Sequence, residues 1–164
     1  MFAATTLKLA ETVLAEARAK GLHIVTAESC TGGLVAGVLT DIAGSSDVFE
    51  RGFVTYSNKA KEEALGVPAA TIHTHGAVSE ATARAMAEGA LRHSCAEVSV
   101  AITGVAGPGG GTAEKPVGLV QFAAARKGGE TVSVEHRFGD IGRLEIRLAS
   151  VGVALTLLRR VINA

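Results

Sequence analysis

Three times along this chain an apolar run stops on polar or glycine-rich residues. His23-Ile24-Val25-Thr26 gives way to Ala27-Glu28-Ser29-Cys30-Thr31-Gly32-Gly33, Phe49 to Tyr56 to Ser57-Asn58 and the lysines Lys59 and Lys61, and Val98 to Ile102 to Thr103-Gly104-Val105-Ala106-Gly107-Pro108-Gly109-Gly110-Gly111. Each run has strand length, and the first two lead into helix-like segments. In an open α/β sheet the carboxyl ends of parallel strands share one edge, and ligands bind there. The three stretches are therefore expected to converge. Together they would offer a hydroxyl nucleophile, a phenol, lysines able to act as a base, and backbone amides for a phosphate or an oxyanion.

The remaining pattern fits that architecture. Leu7, Ala10, Leu14 and Ala17 mark one face of a first helix that ends near Gly21, and a second helix runs from about Gly33 to Leu39. Ser57-Asn58 caps a third, with Asn58 taken as the cap; a loop through His73-Thr74-His75-Gly76 follows, and Ser79 caps a helix reaching His93. Gly118 to Ala124 and Thr131 to Arg137 read as a hairpin turning at Lys127-Gly128-Gly129, and Leu144, Leu148, Val151, Leu155, Leu158 and Ile162 form the apolar face of a long last helix. The expected fold is a single three-layer α/β/α domain over residues 1–164, with a mixed sheet of about five strands.

Composition narrows the function. Lys+Arg 16 against Asp+Glu 16 leaves no basic surplus for a nucleic-acid backbone, and no Trp, one Tyr and five Phe make no base-stacking platform. No run of ~18 apolar residues suggests a membrane span, and the first residues lack the pattern of a signal peptide. Cys30 and Cys95 form neither a disulfide framework nor a metal-ligand spacing, which points to the reducing cytoplasm. His73 and His75 have no third ligand at a telling spacing, so no metal is expected and the histidines should be exposed. The glycine loop matches neither GxxxxGK[ST] nor GxGxxG.

Several readings stay open on residues alone. Ser29 could be a nucleophile, or Ser29 or Thr31 could merely cap a helix. Cys30 is intrinsically the better nucleophile, and a helix start would lower its pKa; yet if Ser29 faces a cleft, its neighbour should pack. Arg143 and Arg147, four apart, could pair with a ligand phosphate or with glutamates. The glycine loop could be functional or structural.

The segments Thr26 to Gly33, Phe49 to Asn58 followed by Lys61, His75 to Glu80, Thr103 to Gly111, and Glu114 to Gly118 resemble, in order, the CinA C-terminal domain family. The resemblance implies hydrolysis of the carboxamide of nicotinamide mononucleotide to nicotinate mononucleotide and ammonia, with a small-molecule substrate and neither metal nor redox cofactor. It implies Ser29 as nucleophile, Lys61 as its proton acceptor and Tyr56 as a supporting group. Thr103 and the loop after it, including Gly104, Gly107 and Gly109, would border the substrate. Arg143, from an Arg-x-x-x-Arg pattern that follows Asp140 after Ile141-Gly142, would bind it. From the helix start we add Thr31, Gly32 and Gly33 as amide donors to substrate or oxyanion. The contrasting expectation is a nucleotide-binding regulatory module, linked to competence or DNA damage, that hydrolyses nothing. A homo-oligomer is expected from the apolar last helix and the small-residue helix beginning at Ser79, although both could be core.

Overall fold

Alternation along one interior strand organises the molecule. A computed structural model describes residues 1–164, with strand β1 at Ile24–Glu28 buried throughout. Ile24 packs into a core with helices α1 (Ala4–Ala19), α2 (Leu34–Thr40) and α6 (Arg143–Ile162), whereas Val25 and Ala27 pack into a second core with α3 (Asn58–Leu65), α4 (Ala69–His75) and α5 (Glu80–Arg92). The sheet lies between these two helix layers. Successive strand residues point to opposite faces, so Glu28 faces the α2 layer and Ser29, one residue on, faces the α3 layer.

The strands β2 (Phe49–Val54), β3 (Val98–Gly104), β4 (Leu119–Arg126) and β5 (Val132–Arg137) complete a mixed sheet of order β2-β1-β3-β4-β5. β1 pairs in parallel with β2 and β3, and the antiparallel pairs β3–β4 and β4–β5 finish the sheet. The parallel registers bring Glu28 level with both Val54 and Ile102. The residues that follow are thus set side by side, and the amide of Ser29 donates to Ile102 O at 2.9 Å and that of Thr55 to Glu28 O at 2.8 Å.

The α/β sandwich and its five strands agree with the sequence pattern, while four local details differ. The His73 to His75 stretch is the end of helix α4, begun after Pro68 and anchored by buried Ile72, although both histidines are exposed as expected. The cap of α3 is Ser57, whose hydroxyl accepts from Ala60 N; Asn58 is the first helical residue. The 41–47 segment, which reads from its Gly and Ser residues as a loop, contains a 3-10 turn at Ser45–Asp47. Finally, Leu144 is exposed and Leu148 only half-buried, because the inward face of α6 is set by Ile146 and Ser150, about 200° around the helix from them.

Candidate active site

The three strand ends meet as expected. They wall a cleft of about 320 Å³ lined by Ser29, Tyr56, Lys61, Thr103, Gly104, Gly107, Gly109 and Arg143, among others. This lies within the ~300–1,000 Å³ range of small-ligand pockets. A larger groove of about 650 Å³ lies between α1, α6 and β5, but it holds no nucleophile beside a base.

At the bottom of the cleft Lys61 Nζ lies 2.9 Å from Ser29 Oγ and 2.7 Å from Thr55 O. Parity places both groups there: Ser29 leaves β1 toward the α3 layer, and Lys61 stands on α3. Lys61 is only 1% exposed, and this burial lowers its pKa from 10.5 to about 8. A neutral amine is thereby accessible near neutral pH. With one N–H directed at Thr55 O, its lone pair can accept the proton of Ser29.

Tyr56 sits just beyond β2 and is 62% exposed, outside the strand formed by the apolar run it ends. Its hydroxyl accepts from Arg143 Nη2 at 2.9 Å, and Arg143 Nη1 donates to Gly107 O at 2.7 Å. Arg143 thus ties the phenol to the glycine loop across the cleft. Neither it nor Arg147 pairs with a glutamate: Arg147 donates to the carbonyls of Cys30 and Thr31 at 3.1 and 3.3 Å.

The turn after Ser29 differs from expectation. The amides at the start of α2 are not free: Glu28 Oε1 accepts from Gly33 N and Val35 N, and Oε2 accepts from Ala36 N, at 3.2, 2.9 and 3.0 Å. Gly32 N donates to Ser29 O. The chain's own carboxylate fills the anion position that a helix start offers, and Thr31, Gly32 and Gly33 stay outside the cleft lining. Their glycines serve geometry, with φ of +57° and +102° that other residues rarely adopt. Cys30 packs, as expected once Ser29 faces the cleft, but its thiol does not show the lowered pKa that a helix start suggested. Its thiol belongs to the core beside α2, and burial pushes its pKa up to about 11 rather than down.

Amides that can meet a ligand lie elsewhere. Those of Ala106, Gly107, Gly109 and Gly110 line the cleft and donate to no protein acceptor, as does the amide of Cys30 with respect to other residues. Gly107 has a structural reason to be glycine, since a Cβ would lie 2.6 Å from Val117 Cγ1; Gly109 has none, with open space around it. Ala77 and Val78 also line the cleft, held by the bond from Thr103 Oγ1 to Ala77 O at 2.8 Å. As small apolar residues they carry no chemical mark in the sequence. Glu28 and Arg147 were visible as charges, but their backbone partners were not.

The model of the CinA C-terminal domain matches residues 6–162. The chain belongs to the CinA C-terminal domain family. A crystal structure of the competence/damage inducible protein CihA from Agrobacterium tumefaciens superposes with a TM-score of 0.97 at 54% identity, covering 100% of this chain and 99% of that one. A relative from Escherichia coli K12, the nicotinamide-nucleotide amidohydrolase PncC, is 50% identical over 93% of this chain and 92% of its own length. A CinA-like protein of Syntrophobacter fumaroxidans is 51% identical over 89% of this chain, which spans only 34% of that larger protein. Longer members of the CinA family thus carry this unit as about a third of their length. In this family member no helix is long and apolar enough to cross a membrane.

Proposed function

We propose that this chain hydrolyses the carboxamide of nicotinamide mononucleotide to nicotinate mononucleotide and ammonia, with Ser29 as nucleophile and Lys61 as general base. The observation that carries the proposal is the 2.9 Å contact between a cleft-facing serine and a buried lysine of lowered pKa. The amidohydrolase name of the Escherichia coli relative supports the substrate.

Neutral Lys61 takes the hydroxyl proton as Ser29 Oγ attacks the carboxamide carbon, and the N–H of Cys30 holds the developing oxyanion. The resulting Lys61 ammonium returns the proton to the departing nitrogen. Ammonia leaves, and an ester to Ser29 remains. Water then attacks that ester with Lys61 again as base, releasing the acid and regenerating the hydroxyl. Tyr56, oriented by Arg143, supports the reacting end, while Thr103, Gly104, Gly107 and Gly109 border the substrate. Arg143 and the free loop amides supply counter-charge to a phosphate. Gly109, which has no steric reason to be glycine, suits close backbone approach by ligand.

Incubating the purified chain with nicotinamide mononucleotide and measuring ammonia together with nicotinate mononucleotide tests the proposal. Equimolar formation of both is expected. Binding without release of either would favour a regulatory module.

The rate has a definite pH signature. Lys61 works as the neutral base, so kcat/KM should rise as pH passes upward through about 8, where that side chain loses its proton. At pH 7 roughly a tenth of the molecules carry the neutral amine, on the order of 300-fold more than an unshifted lysine would give. A profile measured between pH 6.5 and 9 that stays flat would overturn the assignment.

Cys30 supplies a contrasting expectation. Cys30→Ala should leave turnover within a few-fold and lower stability by about 1–2 kcal/mol through lost packing, read from thermal unfolding. Lost turnover with unchanged stability would make this a thiol enzyme. We also place the chain in the cytoplasm, which its two free cysteines, one of them exposed, support. We further infer a homo-oligomer, supported by Val54, Tyr56, Ile141 and Leu144, large apolar side chains exposed in segments that flank the cleft.

A further inference from the structure

The turn that carries Ser29 is held by two opposite charges that do not touch each other. On one side Glu28, completely buried, forms no ion pair; its carboxylate is satisfied by the N–H groups of Gly33, Val35 and Ala36. On the other, Arg147 also pairs with no carboxylate and spans the carbonyls of Cys30 and Thr31. Burying a lone charge is costly unless hydrogen bonds replace its water, and here the backbone of one short turn does so for Glu28, while two carbonyls of the same turn take donors of the half-buried Arg147. The fit is close. A Cβ on Gly32 would lie 3.3 Å from Arg147 Nη2, so that glycine leaves room for the guanidinium.

We propose that Glu28 and Arg147 are positioning residues that clamp residues 29–36 from both sides and keep Ser29 Oγ within reach of Lys61. Glu28 takes the donors of the segment and Arg147 takes its acceptors. Neither shifts without freeing a buried backbone group, so the turn has one arrangement. The clamp also assigns the α2 terminus to Glu28, leaving ligand anions to the glycine loop and Arg143. A misplacement of the nucleophile by about 1 Å can cost ~10²-fold in rate without weakening binding.

The inference rests on the proposed hydrolysis for its kinetic test but not for its structural one. Arg147→Ala, checked for cooperative thermal unfolding, should lower kcat on nicotinamide mononucleotide by ~10–10²-fold with KM within about threefold. Added guanidinium ion, at concentrations well below those that unfold the variant, should restore part of that kcat and leave the parent unaffected. Arg147→Lys, which keeps the charge but cannot span both carbonyls, should lose roughly tenfold and provides the test if the alanine variant does not fold. A kcat within twofold of the parent in a folded Arg147 variant overturns the clamp, as does an equal loss that guanidinium leaves untouched. Independently of any substrate, Glu28→Gln, which replaces one carboxylate oxygen by an NH2 that cannot accept, should accelerate hydrogen exchange by more than ~10-fold relative to β3 at Ala36, or at Gly33 and Val35 if the amide is turned over. Unchanged exchange there sinks the proposal even if nicotinamide mononucleotide proves to be no substrate. Conversely, accelerated exchange in a chain inactive on that substrate would leave the clamp standing and remove only the proposed reaction.

Discussion

Ser29→Ala is expected to lower turnover of nicotinamide mononucleotide by at least ~10⁴-fold while the nucleotide still binds with near-parental affinity. The size follows from what the hydroxyl does. Ser29 Oγ is the cleft hydroxyl in contact with Lys61, and removing it leaves Lys61 Nζ bonded to Thr55 O with no nucleophile to activate. Thr103, also on the cleft wall, commits its hydroxyl proton to Ala77 O and is poorly placed to substitute. Binding should persist because the loop amides and Arg143, to which the proposal assigns the ligand's anionic part, are untouched. Calorimetric titration alongside an ammonia assay reads both quantities. Residual turnover above ~1% of the parent would show that another group attacks the amide.

Lys61→Met should suppress turnover by ~10²–10⁴-fold, the usual effect of losing a general base, and Lys59→Met should leave it within a few-fold. The two lysines are near neighbours in sequence but about 200° apart around α3. Lys61 is buried against Ser29, whereas Lys59 extends into solvent and meets Glu63 at 3.2 Å on the exposed face. The Ser57 cap moves both residues one position along the helix relative to an Asn58 cap and leaves the angle between them unchanged. Methionine keeps the length of the lysine side chain and removes its nitrogen, so a loss in Lys61→Met reports the proton acceptor rather than a cavity. A dead Lys59→Met beside an active Lys61→Met would reject both the helix register and the pair.

The sequence showed the strand-end convergence because it is a matter of element order. Buried runs and turn residues mark β1, β2 and β3, and parallel pairing then brings Ser29, Thr55 and Thr103 to one edge. The strand-to-helix junction brought both Lys59 and Lys61 near that edge, and only the family resemblance singled out Lys61. What the sequence left hidden was the hydrogen-bond partner of each group. Free amides were expected at Gly32 and Gly33, but the first is taken by Ser29 O within the turn and the second by Glu28, whose side-chain direction decides it. In principle the alternation of β1 carries that signal, since Glu28 shares the parity of Ile24 and must face α2. The same parity sends Cys30 into the α2 core, where burial outweighs any helix-start effect on its thiol. For α4, the His73-Thr74-His75-Gly76 run is poor in helix formers, and the tertiary anchor Ile72 tips a short segment into a helix. The arginines of α6 satisfied a spacing compatible with glutamate pairing or phosphate binding, but their carbonyl partners lie far away along the chain.

Those distances bear on when the site comes into being. Ser29 and Lys61 are 32 residues apart, Tyr56 and Arg143 are 87, and Cys30 and Arg147 are 117. Contacts of such separation form late, because the entropy of closing the intervening loops is lost before the contact repays it. During synthesis the serine, tyrosine and lysine leave the ribosome well before α6, so a nascent chain holds reactive groups without the two guanidiniums that order them. Helix α6, made after β1, β2 and α3, therefore brings the contacts that order the strand-end groups only once the sheet has formed.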